Sequence, residues 1–294
     1  MPLALPALKL GSSGAEVGNW QRFLAAALGD LPLTADESFG PRTRQATKIW
    51  QLANKLVTDG VVGPRTRDLA VSQGFIQFLQ AKNFTRPSSS RSIDRIVIHD
   101  MEYPERPEGA EWCAQFFAGV GGMTAPRASA HYSVDSDSVV QSVRDGDVAW
   151  HAPGANHNGI GIEHAGYARQ RREEWLDDYS RRELEVSARL TARLCRLYAI
   201  PVEYLDFAAL KAGKRGLTGH RDVSSAFGGS HWDPGESFPW DVFVSLVTSA
   251  GRSLTPSAGT RSEDDSVTPS AGTRSLTSSA GTRSNEPNGP NRGE

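Results

Sequence analysis

Along residues 15–55, apolar side chains recur three and four positions apart. Val17, Trp20, Phe23 and Leu24 share one face, and Ala46, Ile49, Trp50 and Ala53 share another. That is the spacing of amphipathic helices. The segment Phe39-Gly40-Pro41-Arg42-Thr43-Arg44 is echoed by Val62-Gly63-Pro64-Arg65-Thr66-Arg67. In each copy Gly serves a turn and Pro suits a first helical turn. The pattern predicts a small all-α domain of about three short helices over residues 1–80.

The period then changes. Residues 81–91, with a Pro and a run of Ser, read as a linker. In the second domain, residues 92–250, the short aliphatic runs at 93–99 and 159–163 read as buried strands. Residues 131–143 read as a hairpin turning at Asp135-Ser136-Asp137-Ser138. Helical spacing returns at 111–118, with Trp112, Cys113, Phe116 and Phe117 on one side. It returns again at 181–198, with Leu184, Ala188, Thr191, Cys195 and Tyr198 on one face. Ile200-Pro201 ends that helix. Strands interleaved with helices predict an α/β domain around a central sheet. Residues 251–294 carry three copies of one octapeptide (TPSAGTRS twice, TSSAGTRS once) and no aromatic residue. Such a segment cannot bury enough apolar surface to offset its ordering entropy, so it is expected to be a disordered tail.

Composition narrows the function classes. Across 294 residues, 32 Lys and Arg stand against 34 Asp and Glu. That balance supplies no general pull toward nucleic acid or anionic lipid. No run approaches the roughly 18 apolar residues of a membrane span, and the first residues lack the basic start of a secretory signal. Cys113 and Cys195 have neither metal spacing nor a disulfide framework and are expected to be buried free thiols.

Three ligand-type residues lie at the ends of predicted elements: His99, His220 and Asp233. Two imidazoles and a carboxylate form an open zinc site with a position left for water. Glu163, closing the 159–163 strand, is the candidate base for that water. Spacing by itself does not separate this reading from histidines that serve structure.

The local motifs add to it. Leu10-Gly11-Ser12-Ser13-Gly14, Val17 with Trp20-Gln21, Phe39-Gly40 with Thr43, Ala46 and Trp50-Gln51, and Asp59-Gly60-Val61-Val62-Gly63 with Thr66 resemble the peptidoglycan-binding domain family. Trp20, Trp50 and Thr47 depart from its usual aliphatic, Phe and Val. Further along stand Ile96-Val97-Ile98-His99, Ser129-Ala130-His131-Tyr132, Ala149-Trp150-His151-Ala152, Gly159-Ile160-Gly161-Ile162-Glu163, Gly219-His220-Arg221-Asp222 and Asp233-Pro234-Gly235. In that order they resemble the type 2 N-acetylmuramoyl-L-alanine amidase family, which includes phage lysozyme-type amidases and peptidoglycan recognition proteins.

The resemblance implies an α/β catalytic domain with a central mixed β-sheet flanked by helices. It implies Zn2+ held by His99, His220 and Asp233, with Glu163 activating water. His231 stands where many relatives have an oxyanion-stabilising Lys. Trp150 and His151 are expected to touch substrate, with core packing the alternative for His151, His131 to line the sheet or groove, and His157 and His164 to lie on the surface or in loops. Tyr132 is expected to pack, and Arg221 and Asp222 to brace a ligand loop. The implied partner is polymeric peptidoglycan, with the N-terminal domain as a tether, and the implied reaction is cleavage between N-acetylmuramic acid and L-alanine. Action on the wall without a signal peptide suggests a phage endolysin. A secreted antibacterial effector, a soluble recycling amidase and a non-cutting recognition protein are the rivals.

Overall fold

The computed structural model describes residues 5–29 and 32–253. Most of the expected tail lies outside the described residues; its first three complete the last helix, α8 (Trp240–Ser253).

Three helices open the chain: α1 (Ala15–Leu28), α2 (Pro41–Ala53) and α3 (Pro64–Ser72). Proline begins both α2 and α3, where its missing N–H costs no hydrogen bond. The sequence echo has a structural meaning. Gln21 donates to Asp36, the Ser38 carbonyl and Thr43, and accepts from the Glu37 N–H. Gln51 does the same with Asp59, the Val61 carbonyl, Thr66 and the Gly60 N–H. Each buried amide therefore clamps the turn that launches the next helix. Between the helices, the Trp20 ring meets Phe23, Trp50 and Phe75 at 5.2–5.6 Å between centroids. Two of the three unusual residues, Trp20 and Thr47, answer each other: the indole N–H donates to the Thr47 hydroxyl at 2.9 Å.

The second half is a six-stranded mixed sheet. Its strands are β1 (Gln77–Phe78), β3 (Arg95–Asp100), β4 (Tyr132–Val134), β5 (Val139–Gln141), β7 (Gly159–His164) and β8 (Gly216–Gly219), in the order β1-β5-β4-β7-β3-β8. Only β4 and β5 run antiparallel, as the expected hairpin. Its turn is held by Asp135, which accepts from the N–H groups of Asp137 and Ser138. On one face Ile96, Ile98, Ile160 and Ile162 pack with Trp175 and Leu184, and with Phe243 of α8. Leu184 belongs to α5 (Asp178–Tyr198), which Asp177 caps by accepting from the N–H groups of Tyr179 and Ser180. The opposite face carries α4 (Gly109–Ala118). Its expected apolar side divides: Cys113 and Phe117 are buried, whereas Trp112 and Phe116 are half-exposed and stack with each other. Both cysteines are buried and free.

The 81–91 segment departs from the expected linker. Phe84–Thr85 forms β2, antiparallel to β6 (Val148–Ala149), and Ala81 is buried with its N–H on the Ser142 carbonyl. Arg91 donates to the carbonyls of Asp145, Asn156 and Gly159. Just upstream, β1 pairs in parallel with β5, and Asn19 of α1 reaches the Ile76 carbonyl and Gln141. Unpaired strand edges leave backbone donors without partners, and this connecting chain supplies them. The helical module is therefore stitched to the sheet, not hung from it. A cavity of about 740 Å³, lined in part by Asn19, Arg22, Arg144 and Arg193, opens at this seam. Among the described residues no helix is long and apolar enough to cross a membrane.

Candidate metal centre

Three neighbouring segments bring the ligand-type residues together. His99 is the fifth residue of β3, and its register partner on β7 is Glu163. Partners on adjacent strands project to the same face, about 4.8 Å apart along the hydrogen-bonding direction. His220 begins α7 (His220–Phe227) directly after β8, the other neighbour of β3. Asp233 comes from the loop between α7 and α8. The Arg221 N–H donates to its carbonyl at 2.8 Å, tying that loop to the helix start. The next turn needs Gly235: its φ is +92°, and a Cβ there would sit 1.9 Å from the Ala168 carbonyl oxygen.

One ligand atom from each of His99, His220 and Asp233 lies within 4.8 Å of the other two. Asp233 Oδ2 is 2.8 Å from His99 Nδ1, and Oδ1 is 3.1 Å from His220 Nδ1. Both imidazoles are buried. Burial favours the neutral form of His99, against the raising effect of Asp233. Burial also works against the charge on Asp233, but the two imidazoles hold its carboxyl well below the usual range. Neutral imidazoles with an ionised carboxylate are the protonation states that bind a divalent ion. Among the described residues His220 Nε2 is buried without a hydrogen-bond partner. The donor set and its spacing fit a metal ion.

Glu163 sits beside this cluster. Burial, then repulsion from Asp233 and Asp100, pushes its carboxyl well above the ordinary carboxylate value. A nearby cation would reverse that shift. His231 stacks on His220 with centroids 4.1 Å apart, and its Nδ1 is 3.8 Å from Asp233. Its side chain is 59% exposed, so it is open to an incoming substrate.

The remaining expected residues separate. Trp150 is half-buried at the rim, its indole N–H on Thr85. His151 takes the packing alternative and not substrate contact: it lies buried behind His99, its Nδ1 3.1 Å from His99 Nε2. His131 is structural, as expected: its Nδ1 accepts from the Gly161 N–H, and burial pushes it down to about 3. Tyr132 is buried and packs as expected. Asp222 braces by accepting from Tyr204. His157 is exposed. His164, expected at the surface, is fully buried between the His99 carbonyl and Ser187. It follows Glu163 and so points to the opposite, α5-covered face, because strand side chains alternate.

Sequence reasoning also missed why β7 reads Gly-Ile-Gly-Ile-Glu. Gly159 and Gly161 share the face of Glu163, and the His151 ring occupies the space that a side chain at Gly161 would need. Glycine inside a strand marks such a close approach, so that signal was present.

Residues 89–236 match the N-acetylmuramoyl-L-alanine amidase family and residues 13–69 a peptidoglycan binding domain family. The chain is 26% identical over 193 residues to N-acetylmuramoyl-L-alanine amidase A of Achromobacter lyticus, covering 62% of this chain and 98% of that protein. The Staphylococcus aureus hydrolase AmiA, solved with its ligand, aligns with a TM-score of 0.45 at 17% identity, over 65% of this chain and 91% of that one. N-acetylmuramoyl-L-alanine amidase LysC of Clostridium intestinale aligns with a TM-score of 0.37 at 18% identity, over 58% and 97%. With the family match spanning five of the six sheet strands, both ligand histidines and Asp233, the chain belongs to the N-acetylmuramoyl-L-alanine amidase family.

Proposed function

We propose that the protein uses zinc to hydrolyse the amide between the lactyl group of N-acetylmuramic acid and L-alanine in polymeric peptidoglycan. The observation that carries this reading is the convergence of His99, His220 and Asp233, with Glu163 the register partner of His99. Zinc held by those three residues would polarise the scissile carbonyl and acidify the hydrolytic water. Glu163 accepts the proton from that water as its oxygen attacks the carbonyl carbon. The C–N bond then breaks, and Glu163 returns the proton to the leaving L-alanine nitrogen. His231 donates an N–H to the oxygen that gains negative charge.

The finer biological reading is a wall-lysing enzyme of endolysin type, which works while bound to the polymer. The wall-binding helices in the same compact unit as the metal cluster support it. A secreted effector would use the same chemistry. The test is digestion of purified murein by metal-depleted and zinc-restored protein, with mass spectrometry of the products. Free stem peptides beginning with L-alanine, beside uncut glycan and only after zinc is restored, are expected. Cut glycan, or equal release without metal, overturns the reaction assigned. Faster turnover of soluble muropeptides than of intact sacculi would refute the polymer-bound role.

A further inference from the structure

His151 is set up to hold a metal ligand. Of the two nitrogens of His99, Nδ1 faces Asp233 at 2.8 Å and Nε2 faces His151 Nδ1 at 3.1 Å. The metal side of His99 is thus Nδ1, and the far side has one partner, another imidazole. Two facing ring nitrogens attract only when one carries the proton and the other offers its lone pair. A His99 that gives its Nδ1 lone pair to a cation keeps its proton on Nε2. His151 must then accept on Nδ1 and carry its own proton on Nε2.

The surroundings hold the His151 ring in place. The Asn156 side-chain oxygen accepts from the backbone N–H groups of His151 and Ala152 at 2.9 and 2.6 Å. The ring lies against the Cα of Gly161, where a Cβ would come within 2.6 Å of His151 Cγ and 2.8 Å of Nδ1. The His131 ring packs edge-on against the other side, at 5.6 Å between centroids. Among the described residues His151 Nε2 is buried without a partner and the ring's polar contact is His99. A buried imidazole with a single ring-nitrogen contact serves that contact.

We propose that His151 is a positioning residue. It fixes the orientation and tautomer of His99 for metal binding, and Gly161 is glycine to leave room for it. This rests on the metal reading above and adds a residue that touches neither substrate nor ion. Outer partners of ligating histidines typically contribute 10–100-fold in metal affinity or activity.

The test compares zinc affinity, by competition with a chromogenic chelator, across variants of the full chain. Asn places an amide oxygen near the position of His151 Nδ1, whereas Leu has a similar shape without an acceptor. His151→Leu is expected to weaken zinc binding by about 10–100-fold, and His151→Asn to recover most of it. Gly161→Ala is expected to reproduce the loss when His151 is present and to add little in a His151→Ala background. Thermal unfolding of the metal-free variants separates misfolding from loss of the brace. Nitrogen-15 NMR of the zinc-loaded protein gives a second readout, with His151 expected as the Nε2–H tautomer. Equal loss in the Asn and Leu variants, an unchanged affinity, or a protonated Nδ1 on zinc-loaded His151 overturns the proposal alone. Wild-type protein that takes up no zinc overturns the metal reading and the brace together.

Discussion

Glu163 and His99 are register partners on adjacent parallel strands, so the candidate base and a candidate metal ligand share one face of a rigid sheet. This placement needs no loop closure to assemble. Removing the acid while keeping its shape isolates its role. Glu163→Gln is expected to lower hydrolysis by about 10²–10⁴-fold with metal uptake unchanged. Murein digestion paired with metal analysis checks this. Activity within tenfold of wild type would remove Glu163 from the mechanism.

His231 is the residue whose identity departs from the relatives' usual Lys, and it stacks on His220 in the open. A donor to a developing oxyanion contributes about 10²–10³-fold in kcat. His231→Ala is expected to lose that much, and His231→Lys to restore most of it, since an ammonium can donate to the same oxygen. Steady-state rates of the three proteins measure both. A Lys variant no better than Ala would show that His231 acts by packing.

The Trp20 to Thr47 hydrogen bond is buried in the helical core. Thr47→Val leaves the indole N–H unsatisfied, at a cost of about 1–3 kcal/mol. The same change in a Trp20→Phe background has no N–H to strand and is expected to cost little. Urea unfolding of the four proteins gives the coupling, and additive losses would contradict it.

Asp135 and Glu183 contribute to the pH dependence of stability, alongside Asp100 and Glu163, whose values burial also raises. Burial, then Glu111, pushes Asp135 up to about 8, and burial pushes Glu183 well above its ordinary value. Their folded-state values are raised, so the native protein holds protons that the unfolded chain releases above about pH 4. The stabilisation is complete below that point and is lost as pH rises toward about 8. Each group steepens the fall by up to about 1.4 kcal/mol per pH unit. Glu183→Gln is expected to flatten the slope between about pH 5 and 8, read by unfolding of metal-free protein; a slope that stays the same counts against this account.

Much of the site was legible in local sequence. His99, Glu163, His220 and Asp233 each close or follow a short buried strand or a Gly-rich turn, and those patterns are visible along the chain. What local pattern cannot carry is which surface a side chain meets across the fold. His151 has the same neighbours in sequence whether it faces substrate or backs a ligand; only the strand crossing at Gly161 decides. His164 reads as polar and exposed until the alternation of β7 is tied to the covering helix α5. The 81–91 segment has linker composition, but its backbone pairs with β6 and the Ser142 carbonyl and its Arg91 side chain with carbonyls of the 145–159 loop, partners that no window of sequence contains.

The pairing of β1 with β5 has a consequence for how the enzyme samples its substrate. A catalytic unit on a slack leash sweeps every bond within a sphere set by leash length. Here the wall-binding helices join the cutting sheet through a shared strand edge and the buried Asn19 to Gln141 contact. Anchorage and cleavage are then separated by a constant offset, like the two points of a locked compass. On the polymer-bound role proposed above, one landing reaches a single ring of bonds, and progress requires letting go.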